Sequence, residues 1–393
     1  MVEGGKLRVL KPLESVLVKP AGPDCNMACK YCFYLEKSRL FPETRVHRMS
    51  EKTLKLMVKQ IMRQGTDNIS FGWQGGEPTL MGRRFFELAF NYQHIFGRPG
   101  QRVGNGFQTN GILIDKDWAM MFKEYNFLVG LSLDGPKEIH DRYRVLKSGR
   151  PSWEMVVRAR DIMLERGVAV NALSVVSDYS VKFPREIYEF HKKNGLTYMQ
   201  FIPLLEKDPT SPDGIASFSV KPKDYGRFLC DIFDLWISDF KGGMPTTSVR
   251  WFDSLLFTYL GLEAPECTLQ KECGRYVVIE HNGDVYSCDF FVENRWKLGN
   301  IGEGKIIDML NSPLQDRFGK IKATLPEKCL KCPWIIHCYG DCPKHRINTP
   351  GRGISIDRPI SYFCESYRMF FAHADKKFKE LAHNVAQRQG GVF

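Results

Sequence analysis

The sequence predicts an α/β protein built on parallel strands, followed by a smaller cysteine-rich region. From Glu14 to Glu206, short β-type runs alternate with amphipathic helical stretches, and every run but the last is followed by a helix before the next. Repetition of that kind implies parallel strands joined by right-handed crossovers. The texture then changes: from Cys267 to Cys364 eight cysteines fall among glycines and prolines, with few periodic runs. Such a stretch is expected to build little apolar core and to need staples.

The first strand, ESVLVKPAGP, runs into a cysteine loop. SEKTLKLMVKQIM follows as a helix, with Leu54, Met57, Val58, Ile61 and Met62 on one face and Ser50 placed to cap it. NISFGWQGGEP, VGNGFQTNG, NFLVGLSLDGP, VAVNALSVVS and LTYMQFIPLLE read as the remaining five strands. The helices between them are GRRFFELAFNYQ, DKDWAMMFKEY, PSWEMVVRARDIMLERG and FPREIYEFHKKNG. The cysteine loop, GGEP, QTNG and LDGP each sit just after a strand. Active sites gather at that end in barrels and in open α/β sheets alike, so periodicity leaves the two architectures open. KDPTSPDG marks a boundary. YGRFLCDIFDLWISDF then reads as a helix with Tyr225, Phe228, Leu229, Ile232, Phe233 and Trp236 on one side. The expected organisation is an extension (1–13), the βα half (14–206), a helical linker (207–264), the cysteine-rich domain (265–370) and a C-terminal helix and tail (371–393).

No apolar run approaches the roughly 18 residues of a membrane span. The opening MVEGGKLRVLKPLESVLVKP scatters charges through each apolar run, unlike a signal peptide. A cytoplasmic protein without a membrane partner is expected. In that reducing setting 12 clustered cysteines read as metal or redox ligands rather than disulfides. The excess of 56 basic over 45 acidic residues, +11, is spread thinly, without the basic block and interleaved aromatics of a nucleic-acid binder.

Cys25, Cys29 and Cys32 are three thiols where a four-coordinate site wants four. Thiolates suit iron–sulfur clusters and zinc. A [4Fe–4S] cluster held by three cysteines keeps one iron open for a small molecule, whereas a zinc site would need a distant fourth ligand; spacing alone leaves both. The triplet also matches the CxxxCxΦC signature, with Tyr31 as the aromatic, and the chain resembles the radical S-adenosylmethionine family. Gly75, Gly76 and Glu77 of GGEP look like the motif that holds the methionine amino group. Ser132 and Asp134 in LSLDGP, with Arg144, fall where relatives contact the ribose and carboxylate, and Leu205 is similar to a residue near the adenine. The resemblance implies a partial (β/α)6 barrel. It also implies S-adenosylmethionine chelated at the open iron and split to a 5′-deoxyadenosyl radical.

Eight further cysteines fill two four-coordinate sites, and two zinc ribbons would fit as well. Their order resembles the SPASM extension of radical enzymes that modify peptides. That resemblance implies two auxiliary [4Fe–4S] clusters with interleaved ligands: Cys267, Cys273, Cys288 and Cys342 for the first, and Cys329, Cys332, Cys338 and Cys364 for the second. Cys230, in a helix, reads as an inert packed thiol. The CxxxxxC pair, the SCDFFV run, RWFDSLL and the order of all eleven cysteines are similar to the anaerobic sulfatase-maturating enzymes. The implied activity is oxidation of a cysteine or serine to Cα-formylglycine in an unfolded sulfatase precursor carrying C/S-x-P/A-x-R. Asp289 would be the general base, a flavodoxin- or ferredoxin-type protein the electron donor, and the enzyme a monomer. Without the resemblance, Asp289 reads as a turn residue after a ligand. The alternative activity is another SPASM peptide modification, a thioether or carbon–carbon crosslink. Against it, only 24 residues precede Cys25, where many crosslinkers carry a recognition domain.

Overall fold

A computed structural model describes residues 10–346 and 359–388. Residues 1–9 of the expected extension and 389–393 of the expected tail lie outside the described residues. In chain order the βα half comprises β1 (Ser15–Lys19), α1 (Glu51–Gln64), β2 (Asn68–Trp73), α2 (Arg83–Phe96), β3 (Arg102–Thr109), α3 (Lys116–Glu124), β4 (Leu128–Ser132), α4 (Lys137–His140), α5 (Trp153–Glu165), β5 (Ala169–Val176), α6 (Pro184–Lys193) and β6 (Tyr198–Pro203). Next come α7 (Pro222–Ser238), β7 (Phe240–Lys241), β8 (Met244–Pro245), β9 (Ser248–Val249) and α8 (Arg250–Tyr259). The remainder is β10 (Val277–Glu280), β11 (Asp284–Tyr286), β12 (Lys297–Asn300), α9 (Ile306–Leu310), α10 (Pro313–Ala323), α11 (Glu327–Leu330), α12 (Ile335–Cys338) and α13 (Cys364–Arg388).

Local chemistry accounts for the helices. The Ser50 hydroxyl accepts the Thr53 N–H at 3.1 Å and caps α1, whose buried face is Leu54, Met57, Val58, Ile61 and Met62. Asp115 caps α3 by accepting the Trp118 N–H at 2.9 Å. On α7 the six apolar residues expected on one side are all buried.

The chain divides into two compact units, each assembled from separated stretches. The first holds residues through Cys25, Tyr34–Phe107 and Gly274–Gly319. Its strands run in the order β12-β11-β10-β1-β2-β3. β1 pairs parallel with β2 and with β10, and the second pairing sets Lys19 opposite Glu280. β10, β11 and β12 are antiparallel neighbours. The expectation that the cysteine-rich stretch builds little apolar core is corrected here. Val277, Val278, Ile279, Val285 and Tyr286 are almost wholly buried, because the stretch donates strands to β1 instead of standing alone. α1 packs against α2 and α9.

The second unit holds Asn26–Phe33, Gln108–Cys273 and the chain from Lys320. β4, β5 and β6 pair in parallel, and β9 adds to β6. Its largest helix contact is α7 against α13, an aromatic seam. There Phe233 lies 5.6 Å from Phe370 and 5.1 Å from Phe378 between ring centroids, and Phe252 stacks on Phe370 at 5.3 Å. Phe233→Ala is expected to cost about 3–5 kcal/mol, read as a lowered midpoint in urea unfolding at constant slope; a loss under about 1 kcal/mol would mean that the seam repacks.

Candidate active site

In the first unit the carboxyl ends of β1 and β2 converge on one carboxylate. Asp289 lies in a short turn (Asp289–Phe291) directly after Cys288. Its Oδ1 pairs with the Lys19 ammonium from the end of β1. Its Oδ2 accepts from Gln74 Nε2, just past β2, at 2.8 Å. Lys19 is 1% exposed and sits 3.4 Å above the centre of the Tyr34 ring. The Tyr34 hydroxyl in turn donates to Glu280 Oε1, so the strand register that faces Lys19 with Glu280 also gathers this network. Burial and then the Glu280 charge push the Tyr34 phenol well above its ordinary range. Glu280 is wholly buried; its Oε2 has no hydrogen-bond partner and lies 3.7 Å from His281 Nδ1.

GGEP docks on the cysteine loop through the main chain. The Gly76 N–H donates to the Gly22 carbonyl and the Glu77 N–H to the Asp24 carbonyl, both at 2.8 Å. A Cβ on Gly76 would meet the Asp24 carbonyl oxygen at 2.0 Å, and Gly75 has φ +126, so glycine is demanded at both. Glu77 is fully buried, and its carboxylate accepts from the Thr79 N–H at 3.0 Å and the Thr79 hydroxyl at 2.7 Å. Asp24 beside Cys25 is clamped by His47 (2.7 Å) and Arg48 (2.6 Å).

In the second unit Cys29 and Cys32 share a turn in which the Cys32 N–H donates to the Cys29 carbonyl at 3.1 Å. Burial pushes the Cys29 thiol up to about 11, and the neighbouring Arg144 opposes that rise. Asp134, just past β4, is 3% exposed and occupied from three sides. It accepts from the Tyr31 hydroxyl at 2.6 Å and the Val175 N–H at 3.0 Å, and lies 3.1 Å from Arg144 Nε. The Arg144 Nε–H is not aligned on it, so this contact is an ion pair rather than a hydrogen bond. Ser132 accepts from Gln108 at 2.9 Å, and Leu205 is buried in the apolar core that includes Ile139 and Val176.

Cys329, Cys332, Cys338 and Cys364 line one cavity of about 290 Å3, walled by Trp334, Tyr367 and Phe371. Four thiols and an apolar wall, without an acid among the lining residues, fit a thiolate-ligated cluster. Cys342, only four residues past Cys338, is not among that lining. Of the first auxiliary set, Cys267, Cys273 and Cys342 fall in the second unit and Cys288 in the first, where the Tyr276 hydroxyl is 3.5 Å from its sulfur. Cys230 is half-buried on α7 against the core.

Lys19, Gln74, Tyr34 and Glu280 escaped the sequence reading. Lys19 left a faint signal, a lone charge ending the run SVLV; Glu280 left none before β10 was known to pair with β1.

Comparison with known proteins gives two family matches: the radical SAM superfamily over residues 20–190, and an iron–sulfur cluster-binding domain, SPASM, over 267–333. The chain is 38% identical to a serine-type anaerobic sulfatase-maturating enzyme of Bacteroides thetaiotaomicron, over 96% of this chain and 94% of that protein. It is 36% identical to a cysteine-type enzyme of Clostridium perfringens, over 95% and 100%. Among solved structures it is similar to anSMEcpe with bound AdoMet and Cp18Cys peptide (TM-score 0.86, 35% identity, 95% of this chain and 100% of that one). The expected fold class, a radical SAM barrel followed by a SPASM domain, holds.

Asp134→Asn leaves the buried Arg144 without its counter-charge and is expected to destabilise the protein by about 3–5 kcal/mol. Chemical denaturation measures this, and an unchanged midpoint would mean that Arg144 is neutralised elsewhere.

Proposed function

The chain belongs to the anaerobic sulfatase-maturating enzymes of the radical SAM superfamily, and from that premise we propose that it oxidises a cysteine or serine of an unfolded sulfatase precursor to Cα-formylglycine. Its relatives of both types match over almost their full length, and that overlap carries the reading. Cys25, Cys29 and Cys32 would hold a [4Fe–4S] cluster that, with S-adenosylmethionine bound, would supply the radical chemistry for removing a hydrogen atom from the target β-carbon.

The chain's own residues do the rest. The GGEP main chain, with Glu77 behind it, holds the methionine amino group. Arg144 and Ser132 face the nucleotide, Asp134 fixes Arg144 and Tyr31, and Leu205 packs toward the adenine. After hydrogen abstraction the target must lose one proton, from its thiol or hydroxyl, and one electron. Asp289 accepts the proton. Lys19 and Gln74 each take one of its oxygens, which leaves the carboxylate a single orientation. Cys267, Cys273, Cys288 and Cys342, and Cys329, Cys332, Cys338 and Cys364, would hold two auxiliary clusters, which would supply an acceptor for that electron. For serine the two losses give the aldehyde directly. For cysteine they give a thioaldehyde that water hydrolyses, with loss of hydrogen sulfide.

The proposed setting is a reducing cytoplasm, where clustered thiols serve as metal ligands rather than disulfides. A flavodoxin- or ferredoxin-type donor would supply the electron for nucleotide cleavage, and the enzyme would act as a monomer.

Anaerobic, cluster-reconstituted protein is expected to convert C/S-x-P/A-x-R peptides with the mass loss of thiol-to-aldehyde or hydroxyl-to-aldehyde oxidation. S-Adenosylmethionine consumed with neither peptide changed would sink this function in favour of a crosslinking modifier. Asp289→Asn should still cleave the nucleotide while aldehyde formation slows at least ~100-fold; wild-type aldehyde rates would remove Asp289 as the base.

A further inference from the structure

One wholly buried amine lies among the second unit's cysteines, and no part of the reaction described above uses it. Lys322 of α10 is 0% exposed. Its Nζ donates to two main-chain carbonyls: Thr268, next to Cys267, at 2.7 Å, and Asp341, next to Cys342, at 3.0 Å. It therefore ties together two turns that carry expected cluster ligands. A second cation lies close by, the Arg346 guanidinium, which donates to the main-chain carbonyl of Lys322.

Neither cation has an acidic partner among the described residues. Arg346 spends its guanidinium on carbonyls, those of Gly340 (2.8 Å), Lys322 (2.9 Å), Tyr339 (3.0 Å), Ile321 (3.1 Å) and Thr324 (3.3 Å). The adjacent carboxylate, Asp341, is taken by His345 at 2.8 Å and Ser361 at 2.7 Å. A buried cation left with carbonyl dipoles alone is costly, and a second cation close by adds to the cost. A cluster ligated by four thiolates carries net negative charge and would balance both.

We propose that Lys322, assisted by Arg346, is the built-in counter-charge of the first auxiliary cluster. It positions the Cys267 and Cys342 turns and raises the potential at which that cluster accepts the electron given up by the substrate. A nearby positive charge stabilises the reduced, more negative state of a redox centre. Lys322 acts through the cluster and is a positioning residue. The proposal rests on the ligand set Cys267, Cys273, Cys288 and Cys342.

The test is a redox titration of the reconstituted holoenzyme followed by electron paramagnetic resonance. Added S-adenosylmethionine perturbs the signal of the triplet's cluster and so separates it from the auxiliary pair. Lys322→Gln keeps a donor for the two carbonyls and removes the charge; it should lower one auxiliary midpoint by about tenfold in the redox equilibrium, ~59 mV for one electron. Lys322→Arg should restore it. If Lys322→Gln loses that cluster while Lys322→Arg keeps it, the charge is again the difference and the proposal stands. Unshifted midpoints in Lys322→Gln, or equal loss of the cluster in both variants, overturn it. Failure of the ligand set would show separately, as wild-type protein holding about eight irons instead of about twelve.

Discussion

A buried lysine at the end of β1 organises the first unit. Lys19 is buried against the Asp289 carboxylate and the face of Tyr34, whose hydroxyl donates to Glu280, the residue opposite Lys19 in the strand register. Each comes from a different stretch of chain. Breaking one leg would leave a charge in an apolar setting, at a cost of several kcal/mol. The ion pair therefore ties the orientation of the proposed base to the pairing of β1 with β10. Stability and chemistry share one contact.

The second unit answers the same electrostatic problem twice. Arg144 is balanced by Asp134, which Tyr31 and the Val175 N–H also hold, so the guanidinium beside Cys29 is fixed by the carboxyl ends of β4 and β5. Farther along, Asp341 is fully buried. Burial would raise its pKa, but His345 and Ser361 hold it down to about 2. Lys322 and Arg346 have no such partner among the described residues, and that asymmetry sets them apart. In a protein whose cofactors are iron–sulfur clusters, a buried cation without an acid marks the place of an anion that is not a side chain.

Much of the site was legible in the sequence because its parts are local. The triplet, GGEP and LSLDGP lie within single loops, and loops after strands are where a parallel sheet exposes its main chain. The apolar faces of α1 and α7 were legible for the same reason, since a period of 3.6 residues is a local property. β10 was not. VVIE followed by HNGD is a strand-and-turn signal, yet it sits inside a cysteine-rich stretch whose composition argues against a core. Its partner, β1, is more than 250 residues away in the chain.

The sequence by itself determined the order of the six strands and their connecting helices in the βα half, the glycines that let GGEP approach the cysteine loop, and the thiols available to clusters. These depend on residues a few positions apart, or on residue type alone. Only the tertiary structure decided that Lys19 and Gln74 hold Asp289 while Tyr34 covers Lys19 and donates to Glu280, that Asp134 faces inward to hold Arg144, and that Lys322 lies buried between the Thr268 and Asp341 carbonyls. A lysine in GKIKATL reads as solvated until the chain folds over it. Whether a charge is buried, and what neutralises it, is set by segments far apart in sequence, and no local pattern carries that information.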